Sequence, residues 1–315
     1  MTVTVAELAA RLSTDAQYIP RAHDMVFYNS SALFGNIIPM RGLEGGSGVK
    51  ITAVVAGNDS AEVYTEGQSL PARGNLTTIG VTFGYKHFRV VIGETGHARK
   101  AQLGGGLLHG DPDLEVDGAL KKLRDLITRT YLTDSVSYSI LGIIDDTVNY
   151  GDASRSTYTA LKSYKLNASS AAISTTIMNK AYNRSRERPY GANVQLWVAS
   201  PTQTGKYADV VSGKVAPTTA VGAELIPRSI EVGGNPWLPV PDLLTSVVLG
   251  LTDIDESWGV KMHEDGNLGG GKGSGINVKY MGAQDDSDTI QLSTSLGIYC
   301  SQPQKQVKIY GLSTT

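Results

Sequence analysis

Residues 266–274 read GNLGGGKGS, the nearest approach in the chain to a phosphate-binding loop. That motif needs Gly-Lys followed at once by Ser or Thr, whose hydroxyl reaches the metal. Here Gly273 follows Lys272, and Ser274 stands one place late. The motif must also open a helix, because the helix N-terminus holds the phosphate. The next residues, INVKY from Ile276, alternate like a strand, so the segment predicts a flexible hairpin tip. Two acidic groups, Asp253, Asp255 and Glu256, then Asp285, Asp286 and Asp288, offer carboxylate oxygens to a hard cation. Neither has the rest of a calcium loop, so both predict solvated turns. Histidines 23, 87, 97, 109 and 263 show no ligand spacing. His87 falls in a strand pattern and predicts a surface or cross-strand group. No Gly-x-Ser-x-Gly elbow is present, and Cys300 has no nearby His to make it a thiolate. Beside the apolar run LGIY it predicts a small buried hydrophobe. Arg184, Arg186 and Arg188 could meet an acidic partner or nucleic acid. At the end of a helical pattern they better fit capping and pairing with a neighbouring subunit. No clustered nucleophile, base and metal ligands emerge, so no catalytic, cofactor-binding or metal residue is assigned and no enzyme activity is expected.

The elements around these residues are those of a large, strand-rich protein. The chain has 315 residues, 41% hydrophobic and 18% charged, enough for one large or two smaller cores. Its 36 glycines, and 15 Tyr against 4 Phe, suit turns and amphipathic sheets. The formal charge is −2. A protein that grips nucleic acid through phosphates usually shows a basic excess, so any nucleic acid is expected to be contained rather than tightly bound. A lone cysteine makes no internal disulfide. The N-terminus has no basic start and no long apolar stretch, so no signal peptide is expected. No window approaches the ~20 apolar residues of a membrane span. A soluble protein of a reducing cytoplasm is expected.

Along the chain, Val5, Leu8, Ala9 and Leu12 give a short helical pattern, and residues 42–48 (GLEGGSG) predict a flexible hinge behind an N-terminal arm. Val49, Ile51, Ala53 and Val55 alternate as a strand; residues 57–60 (GNDS) predict a turn, and 61–67 a second extended run. In residues 76–92 the apolar positions are odd up to Tyr85 and even from Phe88. This flip predicts a bulge or a change of packing face between them. About 17 residues at ~3.3 Å each would span roughly 55 Å if continuous, a ribbon hard to cover within one domain, so part of it is expected to project onto a neighbouring subunit; two ordinary strands of one compact sheet are the alternative. Asp111 and Pro112 then start a helix, and Val116, Leu120, Leu123, Ile127 and Tyr131 form one apolar stripe. From 113 to 131 it would run ~28 Å, with a continuation, broken or not, through residues 140–144. Residues 145–167 read as polar turns, 170–186 as a helix, 194–199 and 246–251 as buried strands. Ser200 and Pro201 open a helix to 211, and Pro236, Pro239 and Pro241 mark an irregular stretch. Four strands close the chain, beginning at Trp258, Ile276, Thr289 and Gln306. Partial segregation of helices and strands favours an α+β fold.

This order of arm, long hairpin with the segment AEVYTEGQ (61–68), strand, long helix, central mixed domain and closing strands LGIYCSQP and QVKIYGL resembles the tailed-bacteriophage major capsid protein of the Hong Kong 97 type. The resemblance implies an N-terminal arm in residues 1–48, and an extended loop and leading strand in 49–92. It implies a peripheral domain with a spine helix in 93–150 and an axial domain in 151–255. Residues 256–315 become the closing β section of the peripheral domain, the last strand being open to either. It further implies a non-catalytic shell subunit that self-assembles into hexamers and pentamers around double-stranded DNA. Glu62, Tyr64, Glu66 and Arg73 on the loop, with Arg184, Arg186 and Arg188, become inter-subunit contacts. A scaffolding, portal or decoration protein is a possible partner, and a membrane is not. The location is the virion, assembled in the bacterial cytoplasm. Family members with a cleaved scaffolding segment have a longer arm, so a separate scaffold or none is expected. Lys50 and Lys86 are near the arm, but no crosslink is assigned. An encapsulin-like shell that packages a cargo enzyme is the alternative.

Overall fold

A computed structural model describes residues 38–44, 46–57, 60, 63, 65–66, 68–69, 73–95, 112–133, 135–187, 191–212, 231–232, 234–263, 276–284 and 287–314. The short N-terminal helical pattern, the Asp111 cap, the 266–274 loop, Asp285 and Asp286, and His23, His97 and His109 lie outside them.

The strands come first as β1 Met40–Glu44, β2 Gly48–Ala56, β3 Thr77–Gly84 and β4 Lys86–Thr95. Helices α1 Pro112–Thr133 and α2 Ile140–Ile143 come after them, then β5 Tyr164–Asn167, α3 Thr175–Arg186, β6 Val194–Ala199 and α4 Pro201–Ser212. Next are β7 Glu231–Val232, β8 Asn235–Pro239, β9 Val248–Thr252, α5 Ile254–Ser257 and β10 Trp258–His263. The chain closes with β11 Ile276–Gln284, β12 Ser287–Cys300 and β13 Val307–Tyr310.

Two compact units result. The first takes described residues up to Val49, with Gly84–Thr133 and Gly259–Ile298. Its sheet is centred on β12, which pairs antiparallel with β11 and, from Ser287↔Thr95 to Leu296↔Lys86, with β4. β1 runs parallel to β10. Thus Leu43 and Glu44, predicted as part of a hinge, are strand, because β10 supplies them with ladder partners. α1 packs on β4 through the stripe the sequence marks, with Leu120, Leu123, Ile127 and Tyr131 buried. The Tyr131 hydroxyl donates to Leu296 O at 2.7 Å, and its ring lies 5.9 Å from that of Phe88. α1 ends at Thr133, and α2 is a separate single turn capped by Ser139, whose Oγ accepts from Gly142 N.

The second unit holds Lys50–Phe83, Asp134–Trp258 and Tyr299–Thr315. Residues 134–150 fall in this unit, as do 299–315 with the last strand, which the sequence left open to either domain. Its mixed sheet has the order β5-β13-β9-β6-β8-β7. Trp197, fully buried, lies over Gly250, where a Cβ would come within 2.9 Å of the indole. Tyr207 of α4 stacks on Trp237 at 4.9 Å, and Trp237 Nε1 donates to Thr204 Oγ1. α3 starts at Thr175 rather than Ser170, since Ser169 and Ser170 adopt φ of 52° and 63° and cannot continue a right-handed helix. The proline-marked stretch is not irregular throughout. Pro236 and Pro239 lie in β8, where Trp197↔Trp237 and Val232↔Asn235 pairing outweighs the lost donors.

Candidate functional site

β2 and β3 form a two-stranded sheet of their own. The alternation of Val49, Ala53, Val81 and Phe83, all buried, gives this ribbon one apolar side at its base. The base is pinned within the second unit. Thr82 N donates to Asp152 Oδ1 at 2.8 Å, and Asp152 N donates back to Thr82 O at 3.1 Å. The Phe83 ring meets Tyr150 edge-on at 4.9 Å. Gly151 makes this approach feasible: its φ is +59°, and a Cβ there would lie 2.6 Å from Thr82 O. Further out the ribbon loses internal cover, with Val54 51%, Leu76 57% and Val63 99% exposed. Pairing passes from β2 to β12 across Tyr85, which belongs to neither β3 nor β4. That is the phase flip read from the sequence, realised as a change of sheet.

Of the residues the sequence nominates for contact, Glu66 and Arg73 are exposed on this ribbon, while Glu62 and Tyr64 lie outside the described residues. The predicted extended run over 61–67 is not a strand at Thr65 and Glu66. Gln68 N donates to Thr65 O, and the Gln68 side chain accepts from Thr65 N, closing a local turn. Arg184 pairs with Glu187 and lies 5.8 Å from the Tyr164 ring, so its guanidinium has work within its own chain. Arg186 is exposed over Tyr182, and Arg188 is outside the described residues. His87 Nδ1 is 2.6 Å from Ser295 Oγ across the β4–β12 ladder, as a cross-strand group. Asp253 stands at the N-cap position of α5 without a side-chain cap bond and pairs with Lys305 at 2.8 Å, while Asp255 and Glu256 fall in the first turn of α5. Cys300 is fully buried, and burial pushes its thiol up to about 12. Among the described residues no cluster could hold a metal ion, and no helix is long and apolar enough to cross a membrane.

Sequence reasoning missed a buried ionic knot. Arg155, fully buried, donates Nε to Leu161 O, Nη1 to Gly142 O and Val148 O, and Nη2 to Ile143 O. Burial lowers its pKa to about 10. Lys308 Nζ donates to Leu141 O at 2.9 Å and to Asp145 Oδ2 at 2.7 Å. Asp145 Oδ1 accepts from Asp146 N, from Thr147 N and Oγ1, and from Lys165 Nζ. Burial alone would raise the Asp145 carboxyl; the Lys308 hydrogen bond and charge and the Thr147 donors hold it well below the usual carboxylate range. Burial pulls the Lys308 ammonium down, so the stabilisation of the pair resides on the carboxylate side. A lowered folded pKa gives stability that is complete above the ordinary Asp value of about 3.9 and lost as pH falls below it. Urea unfolding of the subunit from about pH 5 to pH 3 should show falling stability, with a shallower fall in Asp145→Asn. Equal slopes for the two proteins would remove Asp145 as the cause.

No protein-family model matches the sequence, and no curated protein matches it. Solved structures do. The capsid chain of cyanophage A-1(L) aligns over 90% of this chain and 93% of its own, with a TM-score of 0.67 and 13% identity. The chain has the Hong Kong 97-like capsid fold. The capsid of a native GTA particle shares it at a TM-score of 0.61 and 10% identity, over 90% of this chain and 97% of the other. So does the SrpI encapsulin of Synechococcus elongatus, at 0.56 and 13%, over 87% and 85%. At these identities it is the capsid fold, not the side chains, that is shared.

Proposed function

We propose that this chain is a major capsid protein, a structural and non-catalytic subunit whose copies close into the icosahedral head of a tailed bacteriophage around double-stranded DNA. The observation that carries this is the match of nine tenths of the chain to a cyanophage capsid chain along nearly its full length. In this reading the first unit is the peripheral domain with α1 as its spine, and the second is the axial domain around which hexamers and pentamers close. The ribbon reaches a neighbour through Glu62, Tyr64, Glu66 and Arg73, and Arg184, Arg186 and Arg188 face another. Many copies burying such surfaces supply the association free energy. Scaffolding, portal or decoration proteins are partners of the assembled head, and the location is the virion.

The encapsulin match supports a second reading, a nanocompartment that encloses a cargo enzyme. Electron microscopy of the purified recombinant protein tests both. Closed shells, or pentamers and hexamers, are expected; a stable compact monomer at high concentration would overturn the shell reading. Shells from the native source that hold a protein cargo and no DNA would select the encapsulin.

A further inference from the structure

α1 has two chemically different sides. Opposite its buried stripe it presents Lys121, Lys122, Asp125, Leu126 and Arg129, all exposed, with Arg124 half-buried beside them. The single acid, Asp125, is 3.6 Å from Arg124. Lys121, Lys122 and Arg129 make no ion pair among the described residues. Residues 121–129 thus hold four cations and one carboxylate, +4 − 1 = +3, within a chain of formal charge −2. From Lys121 to Arg129 the helix rises about 12 Å, a length over which duplex DNA presents about seven phosphates.

We propose that this face of α1 lies against the packaged duplex and neutralises backbone phosphates without reading sequence. The inference rests on the shell reading and adds to it which side of the subunit faces the interior. Asp113, Glu115 and Asp117 fall in the first turns of α1, so its cations are gathered from Lys121 onward with Asp125 the one carboxylate among them, and such a segment attracts a polyanion even when the whole protein is slightly acidic. Three point charges on long side chains give a weak, salt-sensitive contact suited to DNA that must be packed and later released.

The test uses the full-length unassembled subunit, titrated with a labelled random-sequence DNA duplex across a salt series. The parent is compared with K121Q/K122Q/R129Q and with a control, K50Q/K180Q, at two other exposed lysines. Removing three phosphate contacts should flatten the log affinity versus log salt slope by about 2.7, about 0.9 for each. The control should keep the parent slope. An unchanged slope in the triple variant overturns the proposal, as does a parent that shows no salt-dependent binding. A triple variant that keeps the slope but loses assembly would give this face to a second copy instead. Imaging of the parent is scored separately: if no shells form, the shell reading fails whatever the DNA titration shows.

Discussion

A variant lacking residues 57–75 is expected to fold and to build no shells. The ribbon keeps its anchor in such a variant, because the Thr82–Asp152 hydrogen bonds and the Phe83–Tyr150 contact are all outside the deletion. The buried residues of the base, Ala53, Val81 and Phe83, also remain. Of the described side chains that are removed or bordered, Val63 and Leu76 are exposed and Ser60 is half-buried, and none belongs to the buried core of the isolated subunit. In an assembly the same apolar area would be covered at about 25 cal/mol per Å² by a neighbour. Its loss is repeated at every subunit of a closed shell, so the effect on assembly is all or none while the effect on folding is slight. Circular dichroism and thermal unfolding read the first quantity, electron microscopy the second. Normal shells from the truncated chain would remove the ribbon from the assembly surface; an unfolded truncated chain would show that it serves folding instead.

Lys308→Met should be strongly destabilising to the second unit. Lys308 and Asp145 are both buried, and Met fits the aliphatic stem but returns no charge. A buried carboxylate left without its partner typically costs about 3–5 kcal/mol. Lys165, 3.2 Å from the other oxygen, offsets part of this, so about 3 kcal/mol is expected from urea unfolding of the subunit. The double variant Asp145→Asn/Lys308→Met should recover stability relative to Lys308→Met, because it no longer buries a lone charge. A single variant within about 0.5 kcal/mol of the parent would mean that Lys165 alone satisfies the carboxylate.

These two features differ in how far the sequence discloses them. The ribbon is written in local pattern: a period of two, turn residues between the runs, and a phase flip at Tyr85 that needs no partner to be seen. The α1 stripe is equally local. The knot is not. Asp145 and Lys308 are 163 residues apart, and residues 145–167 read as solvated turns because charge and turn chemistry look alike from sequence. What buries Lys308 is the place of β13 between β5 and β9, a fact of topology. The same holds for β8, whose prolines argue against a strand until β6 and β7 flank it. Glu62 and Tyr64 stay proposals drawn from family likeness, Arg188 one drawn from the end of a helical pattern, and Arg184 is engaged by Glu187 before any neighbour arrives.

The burial of Cys300 has a practical side. A thiol fully enclosed and held near pKa 12 neither alkylates nor exchanges at neutral pH, so the natural protein offers conjugation chemistry no target at its one sulfhydryl. A cysteine placed at Val63 would then be the single addressable handle on each subunit. Dyes, gold or cross-linkers could be attached there with defined stoichiometry, and the drop in labelling on assembly would read out coverage of the ribbon directly.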